Sequence, residues 1–130
     1  MINLGSCEIT NKTKSTPTPV GVPFVLIKNK ILGEKYILSL VLLTTNSQKK
    51  INLKYRNKNE STNILSFPLS KTSGEITIDP IKARKDATLF NMTYTQFIKY
   101  LFIHGCLHLK GFEHSSTMEK EEKKFLKIFS

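Results

Sequence analysis

The chain has 130 residues, a length that favours a single domain with one hydrophobic core. Apolar residues make up 39% and charged residues 23%, which excludes a collagen-like repeat and argues against a wholly disordered chain. The formal net charge is +10, so polyanions such as RNA or DNA are favoured partners. Because 18 of the 20 basic residues are lysine, the codon bias of an AT-rich genome explains this charge about as well.

The sequence also indicates the cellular compartment. Its longest central apolar run, residues 37–43, is far too short to cross a bilayer, and the N-terminus lacks the basic patch and apolar run of a signal peptide. Two cysteines, Cys7 and Cys106, can form at most one bridge, so disulfides are not the framework of the fold. We therefore expect one cytoplasmic domain over residues 1–130, an enzyme or a binding module, with no membrane partner.

The first half of the chain predicts short elements separated by turns. Residues 11–23 hold three prolines, which disfavours a helix there, and the apolar run that opens residues 24–32 fits either a strand or a helix. Residues 36–44 are rich in Ile, Leu and Val and predict a buried strand. Ser47 is a suitable N-cap for a short helix that ends at Tyr55.

Two strands and a helix are predicted next. After a polar loop at residues 57–61, residues 62–67 predict a strand that Pro68 ends, because proline has no N–H to donate to a sheet. Residues 75–79 predict another short strand from the alternation of two isoleucines. Pro80 is placed to begin a short helix.

The clearest helix signals lie in the C-terminal third. Thr93 and Gln96 form a capping-box pattern, and Gly111 is a suitable helix stop. Between them apolar residues cover most of the helix surface, which is typical of a central helix. Ser116 and Glu119 repeat the capping pattern before a last, amphipathic helix. These elements predict an α+β or α/β domain in which a small mixed sheet of about four strands packs around the central helix, with other helices at its flanks.

All three histidines, His104, His108 and His114, fall within eleven residues. Residues four apart on a helix lie side by side, so His104 and His108 project together, and a turn at Gly111 can bring His114 over the same face. Cys106 points away from this pair, about 200° round the helix, and is expected to pack in the core. Three converging imidazoles predict a zinc site with one open coordination position.

The alternative is a set of core histidines bonded to the backbone. It places two polar rings in an apolar helix without a common partner, which is costly, so metal binding is favoured. The spacing His-x₃-His-x₅-His is that of the zinc ligands of metzincin peptidases. Those enzymes have a glutamate as general base where this chain has Gly105, so the peptidase mechanism lacks its proton acceptor.

Four sequence blocks, residues 51–56, 62–68, 74–78 and 104–114, point to a known family. The last block, HGCLHLKGFEH, is the most specific. In content and order the four blocks resemble those of the YbeY-type endoribonucleases, bacterial factors of ribosomal RNA maturation. The resemblance extends over residues 36–130.

This resemblance implies a Zn²⁺-dependent endoribonuclease that cleaves single-stranded ribosomal RNA precursors in small-subunit maturation and ribosome quality control. It implies one Zn²⁺ ion on His104, His108 and His114, with RNA and the small ribosomal subunit and its proteins as partners. We expect a monomer in the cytoplasm.

Arg56, Glu113 and His114 are the candidate catalytic residues. The planar fork of Arg56 suits two phosphoryl oxygens, although an ordinary surface arginine is the alternative. Glu113, beside His114, is predicted to orient a ligand or assist proton transfer, and an exposed glutamate without a role explains it nearly as well. With Gly105 in place of a base, Lewis-acid activation by the ion or hydroxide from its bound water is favoured. Asn63 replaces an aspartate usual in the family, so any role of that carboxylate is lost.

Two other classes of function stay open. A non-catalytic ribosome assembly factor would use the zinc structurally, and a fourth protein ligand would favour it. A metallohydrolase of peptides or small substrates would be favoured by an apolar slot with a carboxylate near the ion. A basic, phosphate-sized cleft would disfavour it.

Overall fold

The computed structural model describes residues 6–58 and 62–130. In chain order it contains β1 (Cys7–Asn11), α1 (Phe24–Leu32), β2 (Ile37–Leu42), α2 (Thr45–Arg56), β3 (Ile64–Ser70), β4 (Ser73–Ile78), α3 (Pro80–Leu89), α4 (Tyr94–Lys110) and α5 (Ser116–Ile128). The predicted α+β class is confirmed. Within the described ranges, no helix is both long enough and apolar enough to span a bilayer. The predicted polar loop lies partly outside the described residues.

The sheet is mixed and has four strands in the order β1-β2-β4-β3. β2 pairs in parallel with β1 and with β4, whereas β3 pairs with β4 in the antiparallel direction and forms one edge. In the β3–β4 pair Ser66 lies opposite Ile76, and Phe67 lies opposite Glu75. Because side chains alternate between the two faces of a strand, Ser66 and Phe67 point to opposite faces of the sheet.

Helix α4 is the centre of the core, as predicted. The Thr93 hydroxyl accepts from the Gln96 N–H while the Gln96 side chain accepts from the Thr93 N–H, and Gly111 ends the helix with φ of 114°. Helix α1 packs against α4, where the Phe24 and Phe102 rings meet edge to face at 4.9 Å. The buried residues of α4 lie nearly all round it: Phe97, Ile98, Leu101, Phe102, Ile103, Gly105, Cys106 and Leu107.

Two predicted helix caps are wrong. The N-cap of α2 is Thr44, whose hydroxyl accepts from the Ser47 N–H at 3.2 Å, so Ser47 already lies inside the helix. The N-cap of α5 is Ser115, which accepts from the Met118 N–H at 3.2 Å, so Ser116 is the first helical residue. In both cases the capping residue is the last one with extended backbone, which aims its oxygen at the free amides.

Strand predictions differ from the structure at both sheet edges. β3 does not stop at Pro68 but continues to Ser70, with an irregular register between them. An edge strand tolerates proline because one side of its backbone has no partner strand. The opposite edge strand, β1, was not predicted, and the undecided residues 24–32 form helix α1.

A buried lysine connects α1 to β2. Lys28 is 1% exposed, and its Nζ donates to the carbonyl oxygens of Gly33 and Glu34 at 3.2 Å and of Tyr36 at 2.9 Å. Burial lowers the pKa of this ammonium group. The three hydrogen bonds satisfy backbone carbonyls in the turn that precedes β2.

We expect Lys28→Met to lower the free energy of unfolding by about 1–3 kcal/mol, because the carbonyls lose their donor while the buried volume is kept. Lys30→Met, at an exposed position of the same helix, is the control and should change stability by less than about 0.5 kcal/mol. Urea denaturation measures both. Equal effects would contradict a structural role for the Lys28 ammonium group.

Candidate metal centre

The three histidines meet at one end of α4. His104 and His108 lie one turn apart on the helix, and His114 comes from the turn between α4 and α5. Their ring centroids are 4.6 Å (His104–His108), 4.7 Å (His108–His114) and 5.1 Å (His104–His114) apart. One nitrogen of each ring lies within 4.8 Å of the others. The structure therefore brings together the three predicted ligands.

Hydrogen bonds orient two of the rings. His108 Nδ1 is 3.0 Å from the carbonyl oxygen of Phe112, which can only accept, so this nitrogen carries the proton. His104 Nδ1 donates in the same way to the Glu122 carboxylate at 2.9 Å. With the proton held on Nδ1, the neutral tautomer of each ring presents the lone pair of Nε2 to the site, and the two Nε2 atoms are 3.1 Å apart.

This donor set fits a divalent ion. Two lone pairs that face each other at 3.1 Å repel unless a cation or a proton lies between them. Two nitrogen ligands of a tetrahedral Zn²⁺ are about 3.3 Å apart, which follows from a bond length of about 2.0–2.1 Å. Burial and the neighbouring His104 lower the pKa of His108, which favours the neutral ring that metals require. The three imidazoles are thus suited to hold one metal ion.

Glu122 is the site residue that the sequence analysis missed. It lies on α5, is 7% exposed, and accepts a hydrogen bond from His104. Burial, and then the charge of Glu122, raises the pKa of Tyr100 to about 12. Glu122 shares the buried face of α5 with Met118 and Phe125. A charged residue on an otherwise apolar helix face is therefore the sequence signal that could have identified it.

The histidines open into a cleft of about 650 Å³ that also contains the other predicted residues. Arg56, the last residue of α2, and Glu113 both line it and are exposed. Thr62 and Ser66, from the start of β3 and the residues before it, line it as well. Glu113 was predicted to orient a metal ligand, but the carboxylate that orients His104 is that of Glu122. Glu113 thus reaches the cleft as an exposed carboxylate.

Gly105 allows α4 to touch the sheet. A Cβ at this position would lie 2.9 Å from Ile76 Cδ1 and 3.1 Å from Ile64 Cδ1 and Ser66 Oγ. The Ser66 hydroxyl donates to the Gly105 carbonyl oxygen at 3.4 Å. A glutamate at position 105 would have no room, so the metzincin base is excluded by packing as well as by sequence.

Asn63 has a structural partner. Its amide Nδ2 donates to Asp86 Oδ2 at 2.9 Å, and Asp86 also pairs with Lys82 at 3.2 Å. A carboxylate at position 63 would face Asp86 with the same charge. The asparagine instead ties the residues before β3 to α3, and it is not among the residues that line the cleft.

The fold and the site define a small α+β protein with a three-histidine candidate metal centre beside an arginine. A family model described as "Endoribonuclease YbeY" matches residues 21–129. Relatives with that name include one from Mycoplasmopsis synoviae, 32% identical over 105 residues, which cover 73% of this chain and 68% of the relative. Another, from Phytoplasma mali, is 38% identical over 98 residues, which cover 73% of this chain and 65% of the relative.

A solved structure agrees with this match. The solution structure of TM1509 from Thermotoga maritima superposes with a TM-score of 0.67 at 25% identity, covering 95% of this chain and 89% of that one. The chain belongs to the Endoribonuclease YbeY family, which confirms the predicted family and enzyme class. The family match begins at residue 21 and so includes α1. It therefore extends further towards the N-terminus than the sequence resemblance, which begins at residue 36.

We expect Gly105→Ala to lower the free energy of unfolding by about 1–3 kcal/mol, because the new methyl group forces α4 away from the sheet. The double variant Gly105→Ala, Ile76→Val removes the closest contact, the Ile76 Cδ1 methyl. It should therefore be more stable than the sum of the two single effects. Strict additivity in urea denaturation would contradict this account of the glycine.

We expect Glu122→Gln to weaken Zn²⁺ binding about 10- to 100-fold, because the His104 ring loses the carboxylate that fixes its orientation and tautomer. Competition with a chromophoric chelator measures the affinity. Glu121→Gln is the matched control, since Glu121 pairs with Lys124 at 3.6 Å rather than with a histidine. Equal affinities of the two variants would show that Glu122 does not act on the centre.

Proposed function

We propose that the chain is a Zn²⁺-dependent endoribonuclease that cleaves single-stranded ribosomal RNA precursors during maturation of the small ribosomal subunit. One observation carries the proposal: three imidazole nitrogens within 4.8 Å of one another open into the same cleft as Arg56. Membership of an endoribonuclease family supports RNA as the substrate. The net charge of +10 is consistent with a polyanionic partner.

The proposed mechanism assigns a task to each side of the cleft. When bound by His104, His108 and His114, a divalent ion supplies Lewis acidity towards a phosphoryl oxygen or water. The guanidinium of Arg56 holds two oxygens of the scissile phosphodiester and orients it towards the histidines. Glu113 offers a carboxylate that can take up or return a proton in the same cleft, where position 105 has no room for one.

We place this activity in the cytoplasm and expect the enzyme to be a monomer. Its proposed partners are the small ribosomal subunit and the proteins of that subunit, and its proposed role includes ribosome quality control. Cys7 and Cys106 are both free thiols, which suits a reducing compartment. The exposed arginine of the cleft suits phosphate groups of RNA.

The other two classes have less support. A structural zinc site usually has four protein ligands, and over residues 6–58 and 62–130 the cluster consists of three histidines. A peptidase of the metzincin kind needs the carboxylate that packing excludes at Gly105. The observations therefore favour the nuclease.

We expect His114→Ala to abolish cleavage of single-stranded RNA, because the ion loses one of three ligands. Arg56→Ala should lower kcat/KM about 10- to 150-fold, because it removes a hydrogen bond to a charged group. The amount of bound metal should change little. A chelator should remove the activity of the wild type, and Zn²⁺ should restore it. Cleavage of a labelled oligoribonucleotide and elemental analysis measure the two properties.

The control is Arg84→Ala, which removes the same charge from the other arginine of the chain. Arg84 packs over the Tyr94 ring at 4.0 Å and does not line the cleft. Its activity should stay close to that of the wild type. If metal-loaded protein free of contaminating nuclease leaves RNA intact, or if His114→Ala cleaves like the wild type, the proposed function is wrong.

A further inference from the structure

A pair of aromatic rings, one exposed and one half-buried, lies next in sequence to residues of the cleft. Tyr55, on α2, is 62% exposed, and its ring meets that of Phe67, on β3, at 5.5 Å with an interplanar angle of 62°. We call these two residues the aromatic pair. An aromatic ring that is mostly in water and packs against a second ring is typical of a surface that contacts a partner.

The aromatic pair and the candidate metal centre lie on opposite faces of the edge strand β3. Ser66 contacts α4 and lines the cleft, whereas Phe67 points to the other face, where it meets Tyr55. Arg56 follows Tyr55 in sequence and also lines the cleft. Arg56 therefore connects the cleft to the aromatic pair through the end of α2.

Positive charge lies on the Tyr55 side of the aromatic pair, whereas the carboxylate of Glu75 lies opposite the other ring on the neighbouring strand β4. Lys54 Nζ lies 5.2 Å from the centre of the Tyr55 ring, and Arg56 follows on the helix. Lys58 is exposed just beyond the helix end. Exposed aromatic rings flanked by cations are typical of surfaces that bind single-stranded nucleic acid, where the rings stack on bases and the cations contact phosphates.

We propose that the aromatic pair is a stacking platform for an unpaired nucleobase of the RNA whose phosphate Arg56 holds. This inference rests on the proposed function, because it takes single-stranded RNA as the ligand. A duplex hides the faces of its bases, whereas a single strand can turn one base onto Tyr55 while its backbone passes Arg56. The platform therefore selects single strands through base faces rather than through sequence.

The absence of tryptophan from the sequence allows a direct test. Tyr55→Trp places one indole on the platform, and Phe90→Trp places one at an aromatic residue that is 59% exposed and lies at the end of α3. A single-stranded 12-nucleotide RNA, added in the presence of a chelator that prevents cleavage, should quench the indole at position 55 and not at position 90. An indole at position 55 that the RNA leaves unchanged would overturn the proposal and favour a protein contact.

Affinities separate stacking from charge. Tyr55→Leu should weaken binding of the 12-nucleotide RNA about 5- to 150-fold, the effect of removing one stacked ring. Tyr55→Phe, which keeps the ring, should bind like the wild type. An abasic oligomer of the same length retains the phosphates and should bind equally to all three proteins. An equal loss of affinity for the abasic oligomer, or no loss for the RNA, would overturn the platform.

The same materials distinguish this proposal from the proposed function. If the Tyr55→Trp protein is quenched by RNA but the metal-loaded wild type does not cleave it, the platform is supported and the nuclease is wrong. If the wild type cleaves RNA and Tyr55→Leu has the same kcat and KM, the nuclease is supported and the platform is wrong.

Discussion

The direct contact between α4 and the sheet at Gly105 is the constraint on which the site depends. Without a side chain at this position, the helix backbone lies against Ile64, Ser66 and Ile76. The cleft can then form between the histidine-bearing end of α4 and the start of β3. A larger residue would have to displace these side chains or move the helix, so the glycine that replaces the peptidase base also keeps β3 close to the imidazoles.

Ligand orientation depends on a third element, α5. The Glu122 carboxylate holds His104 Nδ1, and the Phe112 carbonyl holds His108 Nδ1, so both rings turn their Nε2 atoms inward. Glu122 is buried because Met118 and Phe125 pack the same face of α5 into the core. Core packing and metal-ligand geometry are therefore coupled: a change that loosens α5 also loosens the ring that it orients.

The edge position of β3 accounts for the arrangement of residues around the cleft. Both faces of an edge strand are accessible at the border of the sheet. Ser66 can therefore line the cleft on one face, while Phe67 contacts Tyr55 on the other. Arg56 lines the cleft from the end of α2, directly after Tyr55 in sequence. In the proposed arrangement a single RNA strand passes round this edge, with its phosphate on Arg56 and a base on Tyr55.

Features set by neighbours within about four residues were predictable from the sequence alone. They include the capping box at Thr93, the helix stop at Gly111 and the pairing of His104 with His108, because helix geometry fixes these relations locally. Only the tertiary structure decided that Glu122, 18 residues beyond His104, is its partner, since that contact depends on how α5 packs against α4. Contacts between segments distant in sequence also explain three features that no local pattern predicts. These are strand β1, the need for a glycine at position 105 and the contact between Tyr55 and Phe67.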